Sequence, residues 1–427
     1  MKKKVVIIGG GFAGLQLAKN IDTAFYEVLV IDRVNHHQFQ PLFYQVAAAQ
    51  LEPSSISFPF RKIFQQKPGI RFRMAEVQQV LPDQKQVLTD IGTFDYDYLV
   101  LATGCQTNYF NNQELAQNAL PLKSSRDAIR VRDAIIRNFE QIISTEQPNE
   151  ALYNIVIVGA GPTGVELSGA FAEMKKHILP KDYPELDYRK VRIILVEGSG
   201  KTLANMSTLA QQASYQYLQK LGVEVVLNAF VKSYNNNELL LSNGQSLAAA
   251  NVIWAAGVKG NIIKGLDPEI ISNNRYQVNA FNKVKGFTDI FAIGDIALLC
   301  DDKYPKGHPQ VANVAINQAK NLAKNLSKLQ KGQRLKAFSY TDKGTMATVG
   351  KYKAAVDLPF WHFKGFFAWL VWMFLHLMLI LSVRNKLIIF INWTWSFFTN
   401  DSSLRLIFNE QTSQYDRNEI LEHEPAN

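Results

Sequence analysis

The sequence predicts an α/β chain built from two Rossmann-like units and closed by an apolar helical segment. Three observations carry this. A β-branched run at residues 5–8 leads into a glycine cluster at 9–14, the same arrangement recurs at 154–164, and residues 365–383 pass without a formal charge.

In the first unit, Val5-Val6-Ile7-Ile8 reads as a strand and Leu15–Lys19 as the start of a helix, with Gly9-x-Gly11-x-x-Gly14 between them. That spacing suits a dinucleotide: one glycine makes the tight turn, one admits the pyrophosphate and one lets helix pack on strand. The helix N-terminus then faces the phosphates. Asp32 closes the strand-like stretch 27–31, where an acid can bond a ribose hydroxyl.

The second unit repeats the grammar with a strand at 154–158, Gly159-x-Gly161-x-x-Gly164, a helix from 165 to about 176, and Glu197 ending 191–196. Glu197 lies farther from its glycines than the usual ~20 residues, and the proline-bounded stretch 180–184 reads as an inserted loop. One such fingerprint is weak evidence; two in full context make both units dinucleotide-binding domains. Gly200-Lys201-Thr202 resembles the end of a P-loop, but the leading glycine would fall at Leu195, so no ATPase is inferred. A carboxylate at Glu197 would repel a 2′-phosphate, which predicts NADH over NADPH, softened by Lys201.

At 427 residues the chain is long enough for two or three cores, and 47% hydrophobic against 19% charged residues excludes disorder as its theme. The net charge of +9 suits anionic lipid or nucleic acid. No aromatic-plus-basic RNA motif is present, so nucleic acid is not expected. Two cysteines, Cys105 and Cys300, make no disulfide framework and suit a reducing compartment. The start, Met1-Lys2-Lys3-Lys4, leaves no room for a secretory signal before the first strand. No histidine pattern suggests a metal, and His36-His37 reads as a loop feature.

Residues 94–104 (FDYDYLVLATG), 251–258 (NVIWAAGV) and 288–295 (TDIFAIGD) are each an apolar run ending in a small-residue turn. With the two fingerprints they resemble the flavoprotein reductases with two dinucleotide domains. The resemblance implies that Gly9, Gly11, Phe12, Ala13, Gly14, Asp32 and Arg33 hold FAD. It puts Ala102-Thr103-Gly104 beside the flavin and Gly294-Asp295 on the ribityl chain. It implies NADH at Gly159, Gly161, Pro162, Thr163, Gly164, Glu197, Ala256 and Gly257. The division that follows is 1–120 and 281–335 for FAD, 121–280 for NADH and 336–427 for a C-terminal membrane-associating region.

Residues 33–60 contain no cysteine, which removes thiol–disulfide chemistry beside the flavin. Sulfide oxidation would have to rely on Cys105 and Cys300, whose plainer reading is as small buried hydrophobes. Residues 35–47 (NHHQFQPLFYQVA), 159–167 (GAGPTGVEL) and 308–318 (HPQVANVAINQ) look like the type II NADH:quinone oxidoreductases, single-subunit enzymes that do not pump protons. That resemblance implies hydride transfer from NADH to FAD and two electrons onward to a membrane quinone, with Gln45 near the cofactor. It also implies Glu166 near the nicotinamide, although an acid in a helix's first turn is favoured by the dipole anyway. Where the family reads Ala-Gln-x-Ala-x-Gln, this chain has Asn313 and Asn317, each one methylene shorter. The alternatives are an FAD-dependent NADH reductase of a ferredoxin-like protein or a sulfur acceptor, and a slow NADH-binding redox sensor. The ferredoxin-type reductase would not need the apolar tail, whereas only turnover with a quinone separates the sensor from an enzyme.

The nineteen residues 365–383 approach the ~20 that span a bilayer, with Lys364, Arg384 and Lys386 at the flanks and Trp361, Trp369, Trp372, Trp393 and Trp395 as interfacial aromatics. Length alone favours a span. The resemblance favours a membrane-docking hairpin on the cytoplasmic face of the cell membrane, and His376 would be costly in a full span. A dry protein contact, including a homodimer, stays open.

Overall fold

A computed structural model describes residues 2–402 and 404–407; the end of the expected C-terminal region, 408–427, lies outside the described residues. β1 (Lys3–Ile8) runs through the glycine turn into α1 (Phe12–Asn20) and returns as β2 (Tyr26–Asp32), parallel to β1 with Ile8 opposite Ile31. β3 (Ile70–Met74) and β4 (Tyr98–Leu101) extend this sheet on either side.

The second unit starts at β5 (Leu120–Pro121) and α2 (Ser125–Ile143). β6 (Asn154–Val158), α3 (Pro162–His177) and β7 (Arg192–Val196) repeat the β1–α1–β2 unit, followed by β8 (Glu224–Val226) and β9 (Asn251–Trp254). β10 (Ile290–Ala292) then goes back to the first sheet, whose order becomes β10-β4-β1-β2-β3; the second reads β5-β9-β6-β7-β8. Both central strands are flanked by parallel neighbours and buried on both faces, which is why they read as continuous Val/Ile runs. The stretch expected to be a loop at 180–184 carries a short helical turn, Leu179–Asp182.

α4 (Ala312–Gln330) packs on α1 across the first sheet. Beyond it, β11 (Thr345–Thr348), β12 (Ala354–Leu358) and β13 (Trp361–Gly365) form an antiparallel sheet, followed by α5 (Phe366–Leu379) and α6 (Val383–Thr399). α5 has 14 residues, about 21 Å of rise against a ~30 Å hydrocarbon core. It stops because Ile380 turns extended (φ −63, ψ 134) and α6 restarts after Ser382. Among the described residues no helix is long and apolar enough to cross a membrane. The uncharged run 365–383 is thus α5, the break at 380–382 and the first residue of α6.

α5 buries Ala368, Trp369 and Trp372 against the core of the second unit and leaves Phe366, Phe367, Leu370, Phe374 and Met378 exposed. α6 buries Asn385, Ile389 and Trp393 and exposes Leu387, Phe390, Ile391, Trp395 and Phe398. Asn385 anchors α6 by donating to the Ser54 and Ser55 carbonyls at 3.1 and 2.8 Å.

Candidate functional site

The two glycine turns open onto one continuous cleft of about 3460 Å³ that runs from the first sheet to the second and on to α5. Gly9 sits at φ +100, and a Cβ there would fall 2.3 Å from the Ala102 carbonyl oxygen; one on Gly14 would fall 1.8 Å from that of Gly9. Gly11, by contrast, faces open space. Two glycines are therefore demanded by packing and the third leaves a cradle into which a phosphate fits, with the N-terminus of α1 behind it. The second turn repeats this: Gly159 and Gly164 are packed against backbone, and Gly161 is open.

Asp32 and Glu197 line the cleft at the ends of β2 and β7. Burial raises the Asp32 carboxyl, opposed by the Val34 and Gly10 amides that donate to it. His37, in a pair expected to be only a loop feature, braces the same turn: its Nδ1 lies 2.9 Å from the Gly10 carbonyl oxygen, and burial pushes it down to about 4.

Phe12, Ala13, Arg33, Ala102, Thr103, Gly104, Gly294 and Asp295 share the first half of the wall, and Pro162, Thr163 and Glu166 the second. Gly294 donates its amide to Gln318 Oε1 at 2.7 Å, and Gln310 Nε2 donates to the Asp295 carbonyl at 2.9 Å, so α4 and the loop before it fix this turn. Cys105 donates its Sγ proton to Asp295 Oδ2 at 2.9 Å and accepts from Lys123 Nζ at 3.3 Å; burial and the Asp295 charge push its thiol up to about 12. Cys300 is exposed, not the buried hydrophobe expected.

Glu166 is buried on α3, and desolvation pushes its carboxyl up to about 8, against the opposing donors Thr348 and Trp372. The Thr348 amide donates to Oε1 at 3.3 Å, the Thr348 hydroxyl lies 3.1 Å from the Tyr44 hydroxyl, and Gln45 Nε2 donates to Tyr44 at 3.0 Å. Gln45 Oε1 accepts from the Trp393 indole at 2.9 Å. Gln45 is thus buried behind Tyr44 and not on the cleft wall; it ties the site to α6. Asn313 is on the wall, whereas Asn317 sits one turn behind and donates to Asn313 Oδ1 at 3.0 Å. Ala256 and Gly257 are not on the wall either; their neighbour Val258 is.

Lys123 and Thr348 lie in no motif, and the signal for Tyr44 was its place in the 35–47 segment. The signal for Gln310 and Gln318 was their place in the 308–318 segment. Among the described residues no group of His, Cys, Asp and Glu side chains gathers in a way that suits a metal.

Residues 3–319 match the family described as pyridine nucleotide-disulphide oxidoreductase, and residues 343–400 match the NDH2 C-terminal domain. A type II NADH:quinone oxidoreductase, Ndh, of Mycobacterium tuberculosis is 32% identical over 98% of this chain and 93% of its own length. An internal alternative NAD(P)H-ubiquinone oxidoreductase A1 of Arabidopsis thaliana mitochondria is 28% identical, covering 93% and 84%. Among solved structures, NDH2 of Plasmodium falciparum in complex with NADH superposes with a TM-score of 0.88 at 20% identity, over 96% of this chain and 100% of that one. The sulfide:quinone oxidoreductase of Aquifex aeolicus shares the fold at a TM-score of 0.70 and 18% identity, covering 93% and 96%. With two nucleotide turns on one cleft, and both family matches running through it to α6, the chain belongs to the type II NADH:quinone oxidoreductases of the pyridine nucleotide-disulphide oxidoreductase family.

Proposed function

We infer that this chain is an FAD-dependent NADH dehydrogenase that passes two electrons to a quinone, and that the roles of its residues follow from their places on the cleft. The observation that carries the reading is the continuity of that cleft: both nucleotide turns, the Gly294-Asp295 turn and the apolar face of α5 line one space. FAD supplies the two-electron carrier between donor and acceptor. The chain positions it through the first glycine turn, Asp32 and Asp295, and positions NADH through the second turn and Glu197, with a preference over NADPH.

Glu166, neutral near pH 7 because its carboxyl is pushed up to about 8, serves as a proton donor within the dry part of the cleft. Asn313 presents its amide where the cleft passes α4. We assign residues 1–120 and 281–335 to FAD, 121–280 to NADH and the region from 336 to the membrane.

The exposed aromatic faces of α5 and α6 support docking in one leaflet, the basic Arg384 and Lys386 lying beside them. The cytoplasmic face of the cell membrane is part of the same proposal, as is a homodimer, to be read from the mass in detergent. The deciding experiment is NADH oxidation by the detergent-solubilised protein, with and without a short-chain quinone, while flavin absorbance is followed. Rapid quinone-dependent turnover with a flavin that bleaches and recovers is the expected result. A flavin bleached by NADH that quinone leaves reduced would move the acceptor to a protein.

A further inference from the structure

His376 is the single polar side chain of α5 apart from the indoles, and it faces the cleft. Its ring stacks on Trp372 with centroids 4.0 Å apart and meets Phe39 edge-on at 6.3 Å. Phe39 in turn meets Phe12 edge-on at 5.9 Å, and Phe12 begins α1 at the first glycine turn. Two ring contacts therefore connect the FAD turn to the imidazole. Through Trp372, which lies beside Glu166 and lowers its carboxyl, the same imidazole neighbours the buried acid.

His376 Nδ1 lies 2.8 Å from the Trp372 carbonyl oxygen, an atom that only accepts, so Nδ1 carries the proton. In a neutral ring Nε2 then keeps its lone pair, and among the described residues none bonds it. Burial holds the ring neutral, pushed down to about 4. A quinone headgroup offers acceptor oxygens and no donor, while its two-electron, two-proton product offers two hydroxyl donors. An acceptor-only nitrogen thus ignores the substrate and engages the product.

We propose that His376 Nε2 accepts a hydrogen bond from a hydroxyl of the hydroquinone, making His376 a headgroup-positioning residue that favours the reduced product. This rests on the quinone-acceptor reading above. Glu166 donates and His376 accepts, so the two groups complement the two ends of the change from carbonyl to hydroxyl.

The test uses the flavin-loaded full chain with ubiquinone-1 and ubiquinol-1. His376→Phe keeps a ring on Trp372 and loses the acceptor; His376→Gln keeps an acceptor. Product inhibition by ubiquinol-1 is expected to weaken about tenfold in the Phe variant, the loss of one hydrogen bond to a buried partner. The Gln variant should recover most of it, and anaerobic bleaching of the flavin by NADH should not change in either. An unmoved inhibition constant in His376→Phe, or equal loss in both variants, would overturn the role. Should the Phe variant fail to retain flavin, His376→Met against His376→Gln decides by the same ratio. If the wild-type flavin, once bleached, is not reoxidised by ubiquinone-1, the acceptor reading itself falls; reoxidation with an unmoved constant removes His376 alone.

Discussion

Asp32 and Glu197 hold the same place in the two nucleotide units. Each carboxylate takes the amide of the middle residue of its glycine turn, Gly10 or Ala160, at 2.6 Å, and a second amide two residues downstream, Val34 at 2.9 Å or Ser199 at 2.8 Å. The acids organise the turns and still face the cleft, so each can read a ribose. Glu197→Gln keeps an acceptor for Ala160 and removes the charge. The kcat/KM ratio of NADPH to NADH should rise about tenfold, the effect of ~1.4 kcal/mol of relieved repulsion. Asp32→Asn should lower flavin content, read from the absorbance ratio, with the nucleotide ratio unmoved.

Glu166 gives a pH dependence of stability with a definite sign. Its carboxyl rises from 4.5 to about 8 on folding, so between these values the native state keeps a proton that the unfolded chain releases. The contribution is fully present below pH 4.5 and is lost as pH rises through about 8, by at most about 1.4 kcal/mol per pH unit. Glu166→Gln stays neutral throughout. Its Tm relative to wild type should therefore climb between pH 5 and pH 8 and then level off. Quinone-dependent kcat should fall in the variant by about tenfold or more, while NADH still bleaches the flavin.

Asn313 is the wall residue that departs from the family's glutamine, and its side chain is held by Asn317 Nδ2 at 3.0 Å. Asn313→Gln extends the amide into the cleft by one methylene. The relative kcat/KM for ubiquinone and menaquinone analogues should shift by about threefold to tenfold, the range set by one hydrogen bond. Identical kinetics with several quinones would show that the amide does not meet the headgroup.

The cysteines make a contrasting pair. Cys105, pushed up to about 12 between Asp295 and Lys123, holds almost no thiolate at pH 8, whereas Cys300 is exposed. Iodoacetamide should label Cys300 and spare Cys105 in the folded protein, with mass spectrometry locating the adduct. Rapid labelling of Cys105 would reopen sulfide chemistry at the flavin side.

What was legible in the sequence follows from how local each constraint is. A glycine turn with its acid is written within one βαβ unit, so Gly9 to Asp32 and Gly159 to Glu197 could be read despite the inserted segment. The Glu166–Thr348–Tyr44–Gln45–Trp393 chain joins four distant segments, and none of its members has a spacing that announces it. Hence Gln45 was expected at the cofactor but is buried behind Tyr44. Hydropathy likewise merged α5 with the break after it, because Ile380 and Leu381 are as apolar as the helix they leave. Cys300 is exposed because it follows directly on the short strand Ala297–Leu299, whose end composition does not register.

The exposed aromatics give the last test. Phe360 at the β12–β13 turn, Phe367 on α5 and Phe390 on α6 are 101%, 59% and 52% exposed, and none is on the cleft wall. Large apolar side chains left this exposed on neighbouring elements of a folded chain mark a contact surface. Moving an aromatic side chain from water into an apolar phase contributes ~1.5–3 kcal/mol. Replacing all three by serine should therefore weaken co-sedimentation with anionic-lipid vesicles at least ~100-fold. High salt alone should do much less, because it screens the attraction of Lys364, Arg384, Lys386 and the chain's net positive charge but leaves the apolar contribution. The released variant should still oxidise NADH with a water-soluble quinone at the wild-type rate and lose activity with a long-chain quinone held in vesicles. If it stays bound to the vesicles, the membrane-facing surface lies elsewhere; if it loses both activities, the aromatics support the fold of α5 and α6 and not their docking.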